Sequence, residues 1–168
     1  MKLKNILFVV NDIEKSKVFY KELFGLMVIK DFGKNVILTE GLVLQERELW
    51  EKSLGKEVVY QGHDGELYFE ENNMDMFLEK IGKSSLEVEY VSPLTEQDGE
   101  KRVVRLYDPD YHVIEVGESQ ECVVRRLLES GMTCEEVADK IQMPLDWVRA
   151  MENGIENGKG RRLTTSYN

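Results

Sequence analysis

The stretch NILFVVNDIEKSKVFYKELFGL, residues 5–26, changes its hydrophobic period once, and that change decides the fold. Ile6 to Val10 is an unbroken apolar run of strand length. Asn11-Asp12 offers a helix cap, and Ile13, Val18, Phe19, Leu23 and Phe24 recur at helical spacing until Gly25 stops them. The same grammar returns at Leu67-Tyr68-Phe69, at Asn72-Asn73, and at Met74, Phe77, Leu78 and Ile81 ahead of Gly82. Strand-like runs follow each helix: Leu26 to Ile29, Val36 to Thr39 and Leu42 to Gln45 in the first copy, and Leu86 to Val91, Val103 to Leu106 and Val113 to Val116 in the second. Each copy therefore reads βαβββ. A module of this kind cannot bury both faces of a curved sheet alone, so the two are expected to pair around a shared cleft in an α+β fold. The modules span about 1–50 and 64–118, joined by the polar, glycine-punctuated stretch Glu51 to Asp64.

Superposing the copies locates a candidate site. Aligning Asn11-Asp12-Ile13 with Asn72-Asn73-Met74 sets Asn5 opposite Glu66, and aligning Leu42 to Gln45 with His112 to Glu115 sets Gln45 opposite Glu115. Side chains alternate along a strand, so a polar residue recurring at one register in both modules is expected to face the cleft. Asn5, Gln45, Glu66 and Glu115 thus form the expected ligand pocket. Without a metal, the two glutamates would attract a cationic or hydroxyl-rich ligand.

With the opening stretch and the closing DPDYHVIEV of residues 108–116, the chain resembles the vicinal-oxygen-chelate superfamily of glyoxalases, bleomycin resistance proteins and dioxygenases. Tyr111 departs from the glycine usual in that closing motif. The resemblance implies that the quartet stands where metal-dependent members hold their ion. Two carboxylates and two amides are hard oxygen donors, suited to Mg²⁺, Mn²⁺ or Ca²⁺ rather than Zn²⁺ or Fe²⁺. No tightly held cofactor is expected, because Asn5 stands where metal-dependent members of the superfamily supply His or Glu. If a metal binds, Glu66 or Glu115 is the expected proton shuttle. The competing reading pairs a buried glutamate with an arginine such as Arg47 or Arg105.

The remaining candidates read as structural. His63 falls in the connector and His112 in a turn; Asp108-Pro109-Asp110 is a turn whose carboxylates bond nearby backbone N–H groups. Trp50, Phe8, Phe32, Tyr68 and Phe69 read as ordinary core. Cys122 and Cys134 read as buried free thiols.

From Cys122 the pattern turns helical. Val123, Val124, Leu127 and Leu128 make one face, Thr133 to Glu136 a capping box, and Pro144 opens a third segment. Residues 119–152 form the expected helical appendage and 153–168 a poorly ordered tail. LLESGMTCEEVADKIQMPLDWVRAM, residues 127–151, resembles a helix-turn-helix, yet residues 119–168 hold seven Lys and Arg against eight Asp and Glu. That is no surplus for phosphate contacts. A clamp over the cleft or a homodimer interface is the favoured role.

The net charge of -10 opposes binding to nucleic acid and to anionic lipid. The N-terminal apolar run is far too short for a membrane span, so a cytoplasmic protein is expected. The resemblance implies a protein that binds a small metabolite or drug in the cleft without a tightly held metal. Two alternatives are a divalent-metal-dependent lyase or isomerase of glyoxalase type and a ligand-responsive regulator using the C-terminal helices.

Overall fold

The computed structural model describes residues 1–97 and 100–158. The first repeat supplies β1 (Ile6–Val10), α1 (Ile13–Phe24), β2 (Val28–Asp31), β3 (Asn35–Leu38) and β4 (Leu42–Glu46), followed by α2 (Arg47–Leu54). The second supplies β5 (Glu66–Glu71), α3 (Met74–Lys83), β6 (Tyr90–Gln97), β7 (Lys101–Tyr107) and β8 (Val113–Glu118). The fold is α+β, and the internal repeat is exact in topology: one four-stranded sheet has the order β1-β4-β3-β2 and the other β5-β8-β7-β6. Three helices follow, α4 (Gln120–Glu129), α5 (Cys134–Ile141) and α6 (Leu145–Gly158).

In the first sheet β4 is central, parallel to β1 with Ile6 opposite Leu42 and Val9 opposite Gln45, and antiparallel to β3 with Asn35 opposite Gln45. Its Leu42, Val43 and Leu44 are all buried, as a strand with neighbours on both sides and α1 against it requires. The Asp12 side chain accepts the Lys15 N–H to start α1, and Gly25 at φ 70° ends it. Ile13, Phe19, Tyr20 and Leu23 fill the core. Gly41 is obligatory for a further reason: at φ +80° a Cβ would come within 2.9 Å of the Lys4 carbonyl oxygen.

The chain forms two compact units, one of Met1–Tyr68, Met76–Pro93 and Arg105–Glu115, the other of Phe69–Asp75, Leu94–Val104 and the residues from Val116 onward. The second unit therefore takes in more than the expected appendage. Buried Glu118 helps to explain why, since its carboxylate takes hydrogen bonds from Arg102 and Arg126 within that unit. Val123, Val124, Leu127, Val137, Ala138, Ile141 and Val148 form an apolar cluster of α4, α5 and α6. The Thr133 capping box is present, with Thr133 N–H donating to Glu136 Oε2 and Glu136 N–H to Thr133 Oγ1.

Three boundaries differ from expectation. The Leu86–Val91 run is strand only from Tyr90, which continues to Gln97. Helix α2 runs from Arg47 in the expected first module into the start of the expected connector at Glu51, with an Arg47–Glu51 pair one turn apart, and is ended by Gly55 at φ 67°. Helix α6 runs to Gly158, past the expected limit at 152; the rest of the expected tail, 159–168, lies outside the described residues.

Candidate functional site

The four residues aligned by the repeat do not meet. Asn5 is exposed, precedes β1, and donates its amide to the Gly41 carbonyl at 3.3 Å. Gln45 is buried on β4, where its Oε1 accepts from Asn35 Nδ2 at 2.7 Å and its Nε2 donates to the Lys34 carbonyl at 3.0 Å. Both amides therefore bond within the first module. The parallel register also separates them along the strands, since Val9, not Asn5, lies opposite Gln45. The expectation of a four-residue cluster is corrected on this point: the repeat conserves strand order, while hydrogen bonding within the first module absorbs its polar pair.

The second module's pair does converge. Glu66 opens β5 and is exposed, whereas Glu115 on β8 is 8% exposed. The guanidinium of Arg105, on β7, lies with Nε 3.7 Å from Glu66 Oε2, and its Nη2 forms a close ion pair with Glu115 Oε2. Of the two arginines weighed as partners, Arg105 is the one; Arg47 instead pairs with Glu51 and lies over the Tyr60 ring.

Glu66 and Arg105 line a cavity of about 550 Å³ together with His63, Gly65, Val91, Tyr107 and Val113, with Glu115 buried behind Arg105. His63 Nε2 and the Tyr107 hydroxyl are 2.6 Å apart. A second cavity of about 280 Å³ shares His63, Gly65, Glu66 and Val113 and adds Ile6, Phe8, Tyr60 and His112. Tyr107 is not among the residues that the repeat singles out. Its signal was present: Arg105 and Tyr107 alternate with buried Val104 and Leu106, so they share the outward face of β7.

The turn before β8 is a polar hub. Asp108 accepts from Tyr20 OH at 2.7 Å and from the N–H groups of Asp110 and His112, each at 2.9 Å. Burial, with Asp108 alongside, holds the Tyr20 phenol well above its ordinary value. Asp110 accepts from both nitrogens of Asn11. His112 stacks on Phe8 at 4.1 Å with Nδ1 2.9 Å from Asp108. The expected turn thus reaches well beyond its own backbone. Tyr111 occupies the glycine position at φ 66°, the left-handed conformation that glycine would adopt most cheaply. The aromatic residues read as core divide: Phe32 and Tyr68 are exposed, and Phe8 lines the smaller cavity.

The donor set does not fit a divalent ion. The two carboxylates that converge already have a guanidinium beside them, so a cation there would have to approach the Arg105 charge. Among the described residues, no group of three or more His, Cys, Asp or Glu is placed to hold a metal. In the C-terminal helices Arg125, Arg126, Lys140 and Arg149 are each paired with a carboxylate. No described helix is long and apolar enough to cross a membrane.

The glyoxalase-like domain family matches residues 3–121 of this chain. No curated protein matches it. Among solved structures, a protein of unknown function from Agrobacterium tumefaciens str. C58 is 37% identical, with a TM-score of 0.61 over 71% of this chain and 94% of that one. A lactoylglutathione lyase from Agrobacterium tumefaciens is 21% identical, with a TM-score of 0.56 over 71% and 94%. The fosfomycin resistance protein FosX from Mesorhizobium loti is 18% identical, with a TM-score of 0.54 over 75% and 97%. The last two share the fold.

Proposed function

The chain belongs to the glyoxalase-like domain family, and from that premise we propose that it binds a small metabolite or drug against the wall formed by Glu66 and Arg105, the latter held from behind by Glu115, without a tightly held metal. One observation carries this reading: Arg105 pairs with both candidate metal-binding carboxylates at the wall of a ligand-sized cavity. The guanidinium is permanently charged and supplies locally the positive charge that a metal would otherwise bring. A lyase or isomerase would need a free carboxylate base, and the close pair with Arg105 opposes that role for buried Glu115. A DNA-binding regulator would need unpaired basic side chains on the C-terminal helices, whose described Lys and Arg residues are all engaged.

Thermal unfolding of the metal-stripped protein tests the reading, first with Mg²⁺, Mn²⁺, Ca²⁺, Ni²⁺ and Zn²⁺ and then with a panel of anionic, cationic and hydroxylated metabolites. A ligand bound by the native state alone raises the midpoint. The expected result is a rise with members of the metabolite panel and none with the ions. A metal-specific rise abolished by Glu115→Gln would overturn the proposal in favour of the lyase.

A further inference from the structure

Resting on that reading, we infer that the ligand is a carboxylate and that Arg105 is its anchor. Arg105 is 31% exposed at the side chain and spends Nε and Nη2 on the two glutamates. Nη1 has no partner among the described residues. The guanidinium therefore presents, in a wall of the 550 Å³ cavity, a donor edge that no described residue takes up. Two residues along β7, on the same face, the Tyr107 hydroxyl meets His63 Nε2; when His63 donates that bond, the phenol proton is free to point at a ligand.

The two carboxylates differ in how firmly they are held. Glu115 is buried in a close ion pair and keeps the guanidinium in place. Glu66 is exposed and 3.7 Å from Arg105, a loose pair that solvent screens. An incoming carboxylate takes the guanidinium edge and lets Glu66 swing into water, exchanging a weak ion pair for a charge-assisted one. A cation would gain Glu66 only by approaching a fixed positive charge. The exchange is non-covalent, and no proton need move.

The protein has two histidines, and His63 lies in this cavity, so its Hε1 resonance reports on occupancy. Assignment follows from loss of the signal in His63→Gln. Acetate and choline serve as the anionic and cationic probes, titrated against sodium chloride at matched ionic strength. Acetate is expected to shift His63 saturably. Glu66→Gln, which removes the competing anion, is expected to tighten acetate binding by about two- to fivefold. Arg105→Met is expected to weaken it about tenfold or more. The double variant Arg105→Met with Glu115→Gln leaves no unpaired buried charge and repeats the loss if the single variant does not fold.

Weaker acetate binding in Glu66→Gln, a choline shift in place of the acetate shift, or a chloride shift as large as that with acetate would each overturn the inference. A choline shift alone would leave the proposed pocket standing with a cationic ligand. Only failure of the whole metabolite panel removes the pocket itself.

Discussion

Glu115 and Glu118 belong to one strand, β8, and each meets an arginine of β7, yet their surroundings ask different things of them. Glu118 is 0% exposed and its carboxylate is saturated. Arg102 donates from Nε at 2.8 Å and from its backbone N–H at 3.1 Å, Arg126 donates from Nη2 at 3.1 Å, and the Cys122 thiol lies at 3.4 Å. Among the described residues, Glu115 has Arg105 alone. A carboxylate whose lone pairs are all filled holds elements together, whereas one held by a single arginine at a cavity wall leaves that arginine able to take a further partner.

Removing Glu118 breaks this comparison hardest. Glu118→Ala takes from two half-buried guanidinium groups the buried carboxylate they share, leaving Arg102 with Asp75 and Arg126 with Glu96 and the Glu100 carbonyl, and we expect a loss of about 2–4 kcal/mol in urea unfolding. A loss under about 1 kcal/mol would remove Glu118 from its structural role. The pH dependence gives a second measure. Burial pushes the Glu118 carboxyl up, but the hydrogen bonds from Arg102 and Arg126 outweigh it and hold the group below its ordinary value of 4.5. A carboxyl depressed in the folded state contributes stability that is fully present above the unfolded value and is lost as pH falls through the folded one. Wild-type stability should therefore decline below about pH 4.5 more steeply than that of Glu118→Gln.

Glu115→Gln comes next. Removing one charge of a pair that is not fully enclosed costs about 1–3 kcal/mol, and pairing the change with Arg105→Met should recover part of it. An equal or larger loss than for Glu118→Ala would erase the contrast between the two glutamates.

The reading of the sequence succeeded where periodicity governs and failed where side chains choose partners. Both βαβββ copies, the Asp12 and Thr133 caps and the DPD turn were legible because propensity and tertiary packing agree there. The Asn5–Gln45 half of the site was misread because the repeat aligns backbone positions, and nothing in that alignment shows that Asn35 and the Lys34 carbonyl consume the Gln45 amide. Arg105 was named as a partner from charge alone. Its placement between Glu66 and Glu115 depends on the pairing of β7 with β8, which separate stretches of sequence do not reveal.

The thiol beside Glu118 offers a smaller effect. Burial, then the charge of Glu118, pushes the Cys122 thiol up, while a hydrogen bond to Glu152 pushes the Cys134 thiol up to about 11. Both should react slowly with a disulfide reagent at pH 8, since the thiolate is the nucleophile. Glu118→Gln should quicken Cys122 modestly and leave Cys134 unchanged; equal acceleration of both would signal general loosening.

The smallest effect lies in the turn that leads into β8. Tyr111 at φ 66° pays about 1–2 kcal/mol for its left-handed backbone, partly offset by an edge contact with Tyr107 at 5.3 Å, worth about 0.5–1.5 kcal/mol. Tyr111→Gly relieves the first and loses the second, so stability should change by under about 1 kcal/mol. Tyr111→Ala loses the ring and keeps the strain. The glycine variant should therefore be the more stable of the two by about 1 kcal/mol in urea unfolding. The reverse order would mean that the tyrosine backbone is not strained, and that the ring is retained for its place beside Tyr107 at the edge of the cavity.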